Sequence, residues 1–262
     1  MNEYPYVVVD AFTDRPFAGN PAAVMVLDAF LPDDLLQNIA IEHNLAETAF
    51  LVKRGEAQYD LRWFTPGGEV PLCGHATMAS GFALMTEYGV EGDEVAFETK
   101  SGTLTVRREG ERFVLNLPAQ KPEPMENPPS LKAAIDMEAE EVLVFGHICL
   151  AVLESEEALR SVVPDQAAIS ALPVPELGIT ARGEKTDIVS RLFAPELGIP
   201  EDPFTGALHA VAVPYWAEKL GRNTLTAHQA SARGGDAECE LADGRVILRG
   251  QAVLTMRGSL FF

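Results

Sequence analysis

The residues best equipped for chemistry are few. Cys73 and His75 stand in PLCGHATMASGFAL (71–84), Glu47 in NLAETAF (44–50) and Asp202 in EDPFTGALHA (201–210). Cys73 and His75 fall where an apolar helix is predicted to begin. A thiol at a helix N-terminus tends toward the thiolate, so Cys73 is a candidate base or nucleophile; its plain alternative is a small buried side chain. His75 is a candidate acid, base or oxyanion donor, or simply a satisfied histidine in a first turn. Glu47 lies among Ala and Leu and precedes an apolar run, and partial desolvation would suit its carboxylate to proton transfer. The plain alternative is an ordinary glutamate at a strand end.

These groups need elements to position them. YVVVDAF (6–12), AVMVL (23–27), ETAFLVKR and YDLRWFTP read as strands, and TDRPFAGNP as the turn between the first two. PDDLLQNIAIEHN (32–44) has acidic residues in its first turn and apolar residues at helical spacing, so a helix is predicted. A mostly buried helix is predicted from Cys73 to Tyr88, with Gly89 as its C-cap. EVAFETK, TLTVRRE and RFVLNLP follow as strands. The Pro-rich PAQKPEPMENPPS (118–130) is the best linker candidate. We therefore expect an N-terminal lobe over 1–118, a linker over 119–130 and a C-terminal lobe over 131–262, with the last strand free to return to the first lobe.

Beyond the linker the order repeats. HICLAVLE reads as a strand, two short helical patterns follow, and KTDIVSRLFAP reads as a strand. A helix is predicted over roughly 203–220, closed by Gly221, and four strand-like segments end the chain. Phe64, Pro66, Pro71 and Cys73 have the same spacing as Phe193, Pro195, Pro200 and Asp202. This points to two copies of one unit, each a long helix wrapped by mostly antiparallel strands. It also aligns Cys73 with Asp202, with Asp202 as N-cap and Pro203 as first helical residue. Two helix N-termini, each with unsatisfied N–H groups and partial positive charge, would make a carboxylate cradle if they faced one cleft. Gly74, Ala76 and Thr77 would line the first, and Gly206 and Ala207 the second. The plain alternative is two ordinary helix caps.

Composition excludes some functions. The chain has 262 residues, 20 Lys and Arg against 39 Asp and Glu, and a formal charge of −19. Such a surface argues against nucleic acid and anionic membranes as partners. Cys73, Cys149 and Cys239 are an odd number and form no disulfide framework, which fits a reducing compartment. The start lacks a signal peptide's basic and apolar regions, and no run of about 18 apolar residues is present; the cytoplasm is expected. Histidines 43, 75, 147, 209 and 228 form no HxxxH or HxH pair and there is no CxxC, so no metal is expected. Neither a GxGxxG, a Walker loop nor a GxSxG elbow occurs, and no cofactor is expected.

The segments VDAFTDRPFAGNPAAV (9–24), NLAETAF (44–50), LRWFTPGGEVPLCGHATMAS (61–80) and EDPFTGALHA (201–210) resemble the phenazine-biosynthesis isomerase (PhzF-like) family of the diaminopimelate-epimerase fold. The resemblance implies an α+β protein of two pseudo-symmetric lobes, each a barrel-like sheet around a central helix, with the active site between them. It implies a cofactor-independent acid–base isomerase, often a homodimer, acting on a small carboxylate-bearing molecule. It carries catalytic roles onto Glu47, His75 and Asp202. Ala207 and Ala46 stand where the family has serine, which bears on whether phenazine precursors are substrates. Related racemases use two opposed cysteines, and here Cys73 has no thiol counterpart. Two readings compete with the isomerase: a one-thiol epimerase pairing Cys73 with Glu47 or Asp202, and a non-catalytic binding protein of the same fold.

Overall fold

The computed structural model describes residues 2–262, and the chain divides into two compact units, Met1–Asn116 with Arg249–Phe262, and Leu117–Leu248. Elements are numbered along the chain.

The first unit holds β1 (Glu3–Ala11), β2 (Asn20–Leu27), α1 (Asp33–His43), β3 (Glu47–Gly55), β4 (Gln58–Thr65), β5 (Gly68–Val70), α2 (Gly74–Thr86), β6 (Glu94–Thr99), β7 (Gly102–Glu109) and β8 (Arg112–Pro118). β1 pairs antiparallel with β2, β2 parallel with β3, β3 antiparallel with β4, and β4 antiparallel with β5 and parallel with β6. β6–β7 and β7–β8 are antiparallel hairpins. The closing strand, β18 (Ala252–Phe261), pairs antiparallel with β1. α2 is buried on nearly every side, with Ala76, Met78, Ala79, Ala83 and Leu84 fully enclosed. A helix apolar all round belongs inside a sheet rather than on its surface. Gly81 lets it approach β7: a Cβ there would stand 2.4 Å from Val106 Cγ1. α1 covers the other face of the sheet, packing Leu36, Ile39 and Ala40 on Met25, Phe50 and Phe64.

The second unit holds β9 (Glu123–Pro124), α3 (Pro129–Ile135), β10 (Glu141–Phe145), β11 (Ile148–Val152), α4 (Glu156–Ser161), α5 (Gln166–Ser170), β12 (Glu176–Arg182), β13 (Ile188–Ala194), β14 (Ile199–Asp202), α6 (Gly206–Leu220), β15 (Thr224–Gln229), β16 (Gly235–Ala242) and β17 (Arg245–Gly250). Residues 119–130, expected as a linker, are built into this unit. β9 pairs with β10, and Gln120 N donates to Ala210 O at 2.9 Å. That carbonyl is the one Pro214, inside α6, leaves without its i+4 donor.

The pairing sequence repeats that of the first unit. β10–β11 is antiparallel, β11–β12 parallel, β12–β13 and β13–β14 antiparallel, β13–β15 parallel and β15–β16 antiparallel. The expected repeat is thus present in topology, but its alignment needs correction. α6 begins at Gly206 with Thr205 as N-cap, whereas Asp202 ends β14. Cys73, the N-cap of α2, therefore matches Thr205, and Gly74 matches Gly206. The shared spacing that starts at Phe64 and Phe193 is lost before the helices: four residues separate β13 from β14 against two between β4 and β5, and β14 is one residue longer than β5, whereas three residues precede each helix.

Candidate active site

Glu47 and His75 meet inside the first unit. Glu47 opens β3 opposite Ala22 of β2, just after Asn44 ends α1 in a left-handed conformation. His75 is the second residue of α2. Their side chains are 11% and 3% exposed, and His75 Nε2 lies 3.1 Å from Glu47 Oε2. On the opposite ring edge, Asn20 Nδ2 stands 2.9 Å from His75 Nδ1 and Cys73 Sγ 3.5 Å. Glu47, Cys73 and His75 place ligand-type atoms within 4.8 Å of one another. Each ring nitrogen of His75 already has a neighbour, so a metal ion would have to displace one.

Asn20 is delivered by an unusual stretch of backbone. Between β1 and β2, Phe12, Phe17 and Gly19 all have φ between 62° and 67°. Gly19 is required there, because a Cβ would lie 2.1 Å from Ala11 O. The buried Asp10 carboxylate accepts from Phe17 N at 2.8 Å and anchors the loop. Around Cys73, Thr77 N and Thr77 Oγ1 both donate to its carbonyl, at 3.2 and 2.5 Å. The polar groups of Thr77 thus hold the first turn together. Gly74 and Ala76 are buried beside it.

Electrostatics separates the thiol from the other two groups. Cys73 was expected to be acidified by the helix end, but it is pushed up to about 11, first by burial and then by the Glu47 charge. The helix dipole is worth too little to offset the loss of solvation. For His75, burial is the largest influence and opposes protonation; a Cys73 thiolate and the Glu47 carboxylate together raise its pKa above the usual value. Because Cys73 keeps its proton at neutral pH, its share of that pull is absent there, and Glu47 alone works against burial. Cys149 and Cys239 are buried elsewhere, their thiols also pushed up by desolvation.

In the second unit the start of α6 is organised without a charged pair of this kind. Asp202 is 6% exposed, and its Oδ2 accepts from the Thr205 hydroxyl. Gln229, fully buried at the end of β15, donates to Asp202 O at 2.8 Å and accepts from Thr205 N at 2.8 Å. Ser231 Oγ donates to Pro203 O, pinning the rest of the connection. His209 lies flat on Phe204, donates from Nδ1 to Thr205 O at 2.8 Å, and is held near pKa 4 by burial. Gly206 is buried and Ala207 half-buried. Asn20 and Gln229 escaped sequence reading: Asn20 meets a histidine 55 residues away, and Gln229 spans 24 residues to Thr205. Neither has a local spacing signal. Among the described residues no helix is long and apolar enough to cross a membrane.

Residues 9–258 match the family model described as phenazine biosynthesis-like protein. An uncharacterized isomerase of Pseudomonas aeruginosa is 49% identical over 96% of both chains. The crystal structure of a PhzF-family phenazine biosynthesis protein from Enterococcus faecalis is 44% identical, with a TM-score of 0.95 and full coverage of both chains. A predicted epimerase from the same Pseudomonas species, 22% identical with a TM-score of 0.76 over 99% of both chains, shares the fold. The expected epimerase-type α+β architecture is the one observed. The chain belongs to the phenazine biosynthesis-like family, and it is an enzyme of the isomerase class.

Proposed function

We propose that the protein is a cofactor-independent isomerase that moves one proton between two carbons of a small carboxylate-bearing substrate. Glu47 removes the proton from an acidic C–H, leaving an enolate-type carbanion, and returns the same proton at another carbon. No electrons are gained or lost, and one side chain serves as base and then acid. The observation that carries this reading is the buried contact of Glu47 with His75 beside the first turn of α2. Burial keeps water from competing for the carbanion, and the N–H groups of Gly74, His75 and Ala76 belong to the turn that lacks intrahelical acceptors. Those groups suit a substrate carboxylate or its developing charge. The family resemblance assigns Asp202 to the same reaction. The one-thiol alternative is disfavoured by a Cys73 thiol that holds its proton to about pH 11.

The test begins with thermal-shift screening of small carboxylates with an acidic C–H. Each hit is then followed for loss of its C–H signal in deuterated water. Glu47→Gln should reduce exchange by at least ~10²-fold, the low end for a lost acid–base group, while ligand affinity stays within about tenfold. Exchange near the wild-type rate would refute Glu47 as the base, and binding without any exchange would favour the non-catalytic reading. A cytoplasmic location and a homodimer belong to the same proposal; fractionation and light scattering test them.

A further inference from the structure

We propose that Asn20 is a positioning residue that holds His75 as the neutral tautomer with its proton on Nε2, the ring nitrogen beside Glu47, and so keeps the ring from taking the proton of Cys73. The role of this contact in catalysis rests on Glu47 being the base; the tautomer assignment does not.

A neutral imidazole has one donor nitrogen and one acceptor nitrogen. Glu47 Oε2 lies 3.1 Å from Nε2, too far off the N–H axis for a hydrogen bond, but its negative charge favours the N–H edge of the ring on that side, so the ring proton belongs on Nε2. Nδ1 is then a bare lone pair in a buried site, where going without a donor is costly. Two donors face it, the Asn20 amide at 2.9 Å and the Cys73 thiol at 3.5 Å. An amide N–H is the stronger donor, and it is the better placed. With the lone pair occupied, Nδ1 cannot accept the thiol proton, and a thiolate–imidazolium pair does not form.

The backbone explains why Asn20 is not free to leave. It is fully buried, pairs with Ala11 in the β1–β2 ladder, and follows the left-handed Gly19. The second unit provides an internal control. Glu176 opens β12 opposite Ile148, as Glu47 opens β3 opposite Ala22. Counting back two residues from Ile148, the place of Asn20 is taken by Gly146, and the place of His75, two after the N-cap, by Ala207. The amide and the imidazole are absent together. This is expected if the amide serves the ring and not the strand.

The test uses the ¹⁵N-labelled full chain and long-range proton–nitrogen spectra of the histidine rings, with His75 assigned by comparison with His75→Gln. In the wild type at pH 7–8, Nδ1 should give the shift of an unprotonated nitrogen and Nε2 that of a protonated one. Asn20→Leu removes the donor, and the ring should become a tautomer mixture or shift its proton to Nδ1. Asn20→Asp places an acceptor at Nδ1, which should become protonated. A wild-type ring protonated at Nδ1 would overturn the proposal, as would an Asn20→Asp ring unchanged from wild type. If Asn20→Leu does not fold, these two measurements still decide. The readout needs no substrate, so failure of Glu47 as the base and failure of this assignment are separately visible.

Discussion

Glu47 opens β3 opposite Ala22 in one unit, and Glu176 opens β12 opposite Ile148 in the other. Both carboxylates are buried, yet their surroundings differ. Glu47 meets the enclosed His75 at 3.1 Å, whereas Glu176 lies 3.5 Å from His147, a side chain that is 60% exposed. The connections preceding the matched strands differ as well. Eight residues, 12–19, join β1 to β2, while only Gly146 and His147 join β10 to β11. The longer loop is what presents Asn20. A shared plan thus fixes where a carboxylate and a helix start stand, and a loop insertion with one side-chain exchange decides whether an imidazole is held between them.

The helix starts show the same division. Thr205 is clamped by Gln229, but the residue matched to Gln229 through the β4–β6 and β13–β15 registers is Thr99. Thr99 Oγ1 donates to Gly102 O and accepts from Ser101 N, so it serves its own hairpin turn. The close approach of helix to sheet is also reached from opposite sides. In the first unit the glycine is on the helix, Gly81 against Val106. In the second it is on the strand, Gly178, where a Cβ would lie 2.5 Å from Leu208 Cδ1.

The contrast between the glutamates is the one whose failure would change most. Glu176→Gln should leave deuterium exchange within a factor of about three of wild type, against the ~10²-fold loss for Glu47→Gln. Equal losses would mean that both units carry a base. Next, Gln229→Leu should destabilise the protein by about 3–5 kcal/mol, because two buried backbone groups lose their partners. Thr99→Val, at the half-buried matched position, where the hydroxyl serves only a surface turn, should cost about 0.5 kcal/mol or less. Urea denaturation measures both, and similar values would dissolve the contrast.

His209 offers a pH test. Folded, it protonates near 4 rather than 6.5. Between those values the unfolded chain binds a proton that the folded chain refuses. Its contribution is therefore complete above about pH 6.5 and is lost as pH falls to about 4, at ~3 kcal/mol in all. His209→Gln should remove that part of the slope, read from urea midpoints at pH 7 and pH 4.5; an unchanged slope would contradict it. The smallest contrast between the units is steric. Gly81→Ala should cost about 2 kcal/mol, because the new methyl meets a stiff β-branched side chain. Gly178→Ala should cost about 1 kcal/mol, since Leu208 ends in a mobile methyl. Val106→Ala should rescue the first variant, and thermal melts would show whether it does.

Much of this arrangement was legible in the residues themselves. Alternating and continuous apolar runs located the strands. The small-residue stretch from Cys73, closed by Gly89, located α2, because a helix without a polar face has nowhere to go but inside a sheet. The repeated order of elements announced two similar units, and the family motifs singled out Glu47 and His75, which the first unit brings into contact. What the residues did not carry was distance between segments far apart in the chain. The start of α6 was misplaced because Asp202 and Pro203 look like a cap and a first turn, while the Gln229 clamp that makes Thr205 the true cap comes from a later strand. The acidity of Cys73 was misjudged for a related reason: the helix end is local and visible, but burial and the nearby Glu47 are tertiary. Asn20 is the plainest case. Its sequence neighbours suggest only a turn, and its partner is brought to it by the packing of α2 against β2. Local propensities are written in consecutive residues; a solvation penalty, or a hydrogen bond between distant segments, exists only after the chain has closed around it.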